Sequence, residues 1–160
     1  MKVSPDSREG RVLLAREYVR EARVTWRSIP WDVSTMTMPN AVGVAHGVEL
    51  MVKAAVLCAN ETPATDHGLE ALWGRAPFEA TVTARYEPLV RQAAVIRKDG
   101  GYPGSPGYEA LTTGMDQSSW SVFRLDGEAL VTVIEGVAKF LAGDGPRPPT
   151  WRGPGPSRSR

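Results

Sequence analysis

The run 42–59 constrains this chain more than any other stretch. Val42, Val44, Ala45, Val48, Leu50, Met51, Val52, Ala55, Val56 and Leu57 leave it almost no polar side. A helix that is apolar nearly all round belongs at the centre of a bundle, where every face is covered. His46, Glu49 and Lys53 interrupt the run at spacings of three and four, so they share one face. Glu49 precedes Lys53 by four, the favourable order for an ion pair. A membrane would tolerate these three residues badly, so the run reads as a buried helix rather than a span. Pro39 and Asn40 open this helix, and it runs to about Cys58.

The neighbouring segments are also helical. Over residues 8–29, Val12, Ala15, Val19, Ala22, Trp26 and Ile29 fall on one stripe. Ser7 or Asp6 caps its start and Pro30 stops it. A second stripe carries Arg16, Arg20, Arg23 and Arg27, with Glu17 placed to pair with Arg20. It is either a solvated face or a row of guanidiniums for phosphate. Residues 31–38 read as a loop. A short helix follows from His67 to about Arg75, with Leu69, Leu72 and Trp73 inward. A longer helix spans about 78–98, and Pro88 inside it predicts a kink or break near Tyr86.

Residues 100–107 are a Gly/Pro loop, and 108–125 show no sustained period. Asp126 is expected to cap a last helix over 127–142, with Leu130, Val133, Ile134 and Val137 on its stripe. No alternating strand pattern or internal repeat is present. The expectation is therefore an all-α, four-to-five-helix up-and-down bundle over residues 1–142. A chain of 160 residues buries roughly 70% of its unfolded surface and needs no covalent staple.

Residues 143–160 differ in composition. Nine of the 18 are Gly or Pro, and Trp151 is the one large apolar side chain. Such a segment is expected to be a disordered tail. Its four Arg against Asp144 make it basic, while the whole chain carries a net charge of only +1. That near-neutrality excludes a globally basic nucleic-acid binder but permits a local patch.

The single Cys58 excludes a disulfide framework and a Cys-rich zinc site. No apolar leader follows Lys2, which points to the cytoplasm. The Asn60-Glu61-Thr62 sequon is then without consequence. His46 with Glu49, and His67 with Asp66, offer too few ligands in the wrong order for a di-metal carboxylate site, so no metal is expected. Gly-x-Ser-x-Gly elbows, phosphate loops and dinucleotide motifs are absent, and no cofactor is implied.

What remains is the row Ala45-His46-Gly47-Val48-Glu49-Leu50-Met51-Val52-Lys53-Ala54-Ala55, followed by Thr65-Asp66-His67-Gly68-Leu69-Glu70-Ala71-Leu72. This pair resembles the HEPN domain, a small helical bundle of prokaryotic nucleotidyltransferase partners and RNA-cutting toxins. The long first helix, Tyr102-Pro103-Gly104 and the final amphipathic helix are similar to it as well. The resemblance covers about residues 8–142. It departs in two places. The second motif reads Asp-His-Gly-Leu instead of His-Asp-Leu. Neither His46 nor His67 follows an Arg at four to six residues, the spacing of the ribonuclease members.

The resemblance therefore implies a non-catalytic module that binds a nucleotide, RNA or partner protein. Its candidate ligand-binding residues are His46, Glu49, Lys53, His67, Arg97 and Tyr102. A homodimer and a nucleotidyltransferase partner or toxin–antitoxin setting are implied with it. Trp31 and Trp120 are expected as exposed interface anchors. The competing expectation is a ribonuclease toxin with a non-standard centre of His46, Arg97 and Tyr102.

Overall fold

The computed structural model describes residues 3–32, 38–63, 68–98 and 117–156. It has five helices among those residues: α1 (Arg8–Ser28), α2 (Met38–Cys58), α3 (Leu69–Arg75), α4 (Ala80–Lys98) and α5 (Gln117–Leu141). The fold is an all-α bundle with no strand among the described residues. α1 packs on α2 and α5, α4 packs on α2, α3 and α5, and the central α2 also packs on α3 and across the bundle on α5, while α1 and α4 do not touch. The four long helices therefore form a ring in the order α1, α2, α4, α5. The α1–α5 seam lies opposite the α2–α4 seam.

Local chemistry sets the helix ends. Ser7 is extended and its hydroxyl accepts from the Gly10 N–H at 3.0 Å, capping α1. α2 ends with Asn60 in the left-handed region at φ 65°, where the Asn60 N–H reaches the Leu57 carbonyl and the Glu61 N–H reaches Val56. Arg11 on α1 donates to the Asn60 side chain at 3.0 Å, tying this cap to α1. α5 ends in the same way on Gly143, at φ 83°.

α2 is the most buried rod, with Val48, Met51, Val52, Ala54 and Val56 shut from solvent. By length and composition Pro39–Cys58 is the one described helix able to cross a membrane, and 78% of that window is buried inside the fold. Burial pushes the Cys58 thiol up to about 12.

Trp26 joins three of the helices. Its ring lies in contact with Gly47 on α2 and Gly127 on α5. A Cβ on Gly127 would lie 2.1 Å from the ring, and one on Gly47 2.9 Å. The indole N–H donates to the Arg124 carbonyl at 3.0 Å. Trp31 packs against it with ring centroids 4.8 Å apart and donates to the Trp26 carbonyl at 2.9 Å.

Four sequence expectations change. Trp31 is buried rather than an exposed anchor, because it closes over Trp26; the Trp120 side chain lies outside the described residues. α5 starts at Gln117, not 127, and Asp126 is inside it. α4 runs through Pro88 without a break. Pro88 deprives only the Ala84 carbonyl of its helical donor, and both residues face solvent, where water serves instead.

The fourth change is the tail. Residues 143–156 pack on the bundle. Trp151 is 1% exposed and meets Phe78 edge-on at 5.1 Å. Two backbone hydrogen bonds, Glu79 N–H to Thr150 O and Arg152 N–H to Pro77 O, fix the strap. An Arg152–Glu79 ion pair and Arg147 over the Phe140 ring complete it. One aromatic anchor with a fitted socket offsets the ordering entropy of the Gly/Pro chain.

Two outcomes follow from this packing. Trp151→Ala should cost about 3–5 kcal/mol in chemical denaturation, the usual loss for a buried aromatic; a loss below about 1 kcal/mol would place the strap outside the folded unit. The second concerns Glu135. Burial raises its carboxyl, but the Arg23 hydrogen bond and charge, helped by Lys139, more than offset this and hold it below the ordinary 4.5. The resulting stability is present above 4.5 and fades as pH falls through the lower folded value. Arg23→Ala should flatten that acid limb, and an unchanged limb would refute the assignment.

Candidate functional site

The α2–α4 seam gathers four of the six residues expected from sequence. Helical spacing puts His46, Glu49 and Lys53 on one face of α2. Glu49 is 8% exposed, Lys53 half-buried and His46 exposed. Lys53 Nζ lies 2.8 Å from Glu49 Oε1. Arg97, near the end of α4, donates to Glu49 Oε2. One buried carboxylate thus holds two cations from two helices.

The pairing meets the requirement that a buried charge be compensated. It also orients Arg97. The guanidinium is gripped by Glu49 on one side, yet 51% of the side chain is exposed. A fork with fixed direction and free N–H groups suits a phosphate or carboxylate oxygen pair. Beside it, Val42, Ala45, His46, Ile96 and Arg97 line an open concavity of about 280 Å³. Val42 is 46% exposed at its edge. The site therefore offers a directed cation, an imidazole and a small apolar wall.

His67 and Tyr102 lie outside the described residues. Among the described residues, no three His, Cys, Asp or Glu side chains gather as metal ligands. Sequence reasoning missed the wall. Val42 and Ile96 sit on stripes that read as packing positions; Ile96 is buried as its stripe implies, and Val42 is the exposed edge beside His46.

No family model, curated protein or solved structure matches the chain.

Glu49→Ala strips two cations of their shared partner and should lower stability by about 1–3 kcal/mol. Lys53→Ala, which leaves the Arg97 pair intact, should cost less than about 1 kcal/mol. Urea denaturation of both variants checks the order; equal losses would show that Arg97 is not held by Glu49.

Proposed function

We propose that the chain is a non-catalytic, HEPN-like binding module that takes a nucleotide or an RNA phosphate in the α2–α4 concavity. The observation that carries this reading is Arg97, fixed by the buried Glu49 and still half-exposed beside His46. In this reading Arg97 grips phosphate oxygens, His46 supplies a further hydrogen bond or a stacking face, and the exposed Val42 meets the sugar or base. Lys53 acts through Glu49, adding positive charge behind the site. The module works as a homodimer or with a nucleotidyltransferase-type partner, as the family resemblance implies.

The sequence spacing, and not the pairing of His46 with Arg97, argues for binding without cutting. In-line RNA cleavage needs a histidine acid/base and a cation on the phosphate at a common centre. The ribonuclease spacing of Arg before His is absent, since Pro39, Asn40 and Ala41 precede His46 instead. Arg97 reaches the site from α4, where Glu49 engages it.

Thermal denaturation of the full chain with ATP, GTP and a hexauridylate RNA tests the proposal. At 100 times its dissociation constant a ligand should add about 2.7 kcal/mol. Arg97→Ala should abolish the shift, while Arg20→Ala on the opposite seam should retain it. No shift with any probe, or a full shift in Arg97→Ala, would overturn the reading. RNA cleavage lost in His46→Ala would revive the ribonuclease alternative.

A further inference from the structure

The α1–α5 seam carries a second groove, unconnected with the site above. Two concavities lie along it. One, about 320 Å³, is walled by Val3, Val12, Leu13 and Leu141, with Arg8, Glu9 and Arg16 around it. The other, about 170 Å³, is lined by Arg16, Arg20, Arg23, Glu135 and Lys139 over Val19 and Ala138. They share Arg16 and adjoin there; their linings carry five cations and two carboxylates, and Glu17 and Asp144 pair with Arg20 and Arg16 beside them, leaving a small positive excess.

Arg16 and Arg20 are loosely held. Arg16 reaches Asp144 only at 3.9 Å, and the Arg20–Glu17 pair is well exposed on both sides. Exposed pairs of this kind exchange partners at little cost. Among the described residues, Arg8 Nη2 in the channel and Arg11 Nε outside it are buried with no hydrogen-bond partner. The carbonyls at the α5 end are capped by the Gly143 turn, so they do not compete for these cations.

The channel already holds one carboxylate. Glu135 lies between Arg23 at 3.0 Å and Lys139 at 3.4 Å. The other end is apolar, and Val3 and Leu13 are 42% and 50% exposed at its mouth. Among the described residues no aromatic ring lines either concavity, so these residues offer nucleobases no stacking platform.

We infer that the α1–α5 channel is a docking groove for an acidic segment of another protein, with an aliphatic side chain seated against Val12 and Leu141 and carboxylates running along Arg16 and Arg20. Arg8 and Arg23 are separated by about 22 Å of helix, which an extended strand of about seven residues covers.

The probe is a synthetic peptide of about seven residues, one leucine followed by glutamates, titrated into the full chain by calorimetry and methyl NMR. Saturable binding is expected, with shifts at Val12, Leu13 and Leu141 and weakening as salt rises. Arg16→Glu with Arg20→Glu, both on the exposed face and checked for fold by circular dichroism, should weaken it at least about tenfold. Leu13→Ser should weaken it too, and Arg97→Ala should leave it unchanged. No saturation by about 1 mM, or equal affinity in the charge-reversed protein, would overturn the inference. So would hexauridylate RNA displacing the peptide from the same methyls, since the channel would then be a nucleic-acid track.

Discussion

The indole of Trp26 in contact with two glycines is the contact on which the rest of the bundle depends. It lets α1 meet α2 at Gly47 and α5 at Gly127 with no side chain between helix and ring. Interiors packed to crystal-like density cannot absorb an extra methyl at such distances. The indole N–H then anchors the Arg124 turn of α5, and Trp31 folds back over the pair. With α1 placed in this way, α2 is enclosed, and its single polar face is left to point toward α4.

Enclosure of α2 is what gives Glu49 its character. On a surface helix a Glu–Lys pair four apart contributes only about 0.3–0.5 kcal/mol. Here the carboxylate is buried and draws in Arg97 from another helix. The opposite seam repeats the device with Glu135 between Arg23 and Lys139. Both seams therefore present cations whose direction is set by a carboxylate of the fold. The two differ in surroundings, a small apolar wall with an imidazole at one and a long guanidinium row at the other.

Local signals were readable in the sequence. The Ser7 cap, the stripe of α1, the apolar α2 and the His46–Glu49–Lys53 face needed only spacing and residue type. The start of α5 was not readable, because Val122 and Leu125 are exposed on it and break the apolar period. The strap at 143–156 was missed for a similar reason, since averaged composition hides one tryptophan whose partner, Phe78, is far away in sequence. Arg97 has no sequence mark linking it to Glu49, 48 residues earlier. His67 and Tyr102 fall outside the described residues.

The most direct test of the account is a double-mutant cycle between Trp26 and Gly127, measured by chemical denaturation. Gly127→Ala alone forces a methyl into the indole and should cost about 1–3 kcal/mol. Trp26→Leu alone opens a cavity and should cost about 3–5 kcal/mol. With Leu at 26 the added methyl has room, so the double variant should be more stable than the sum of the two losses predicts by more than about 1 kcal/mol. Strict additivity would mean that the ring and the glycine do not share the same space, and would contradict the packing on which both seams rest.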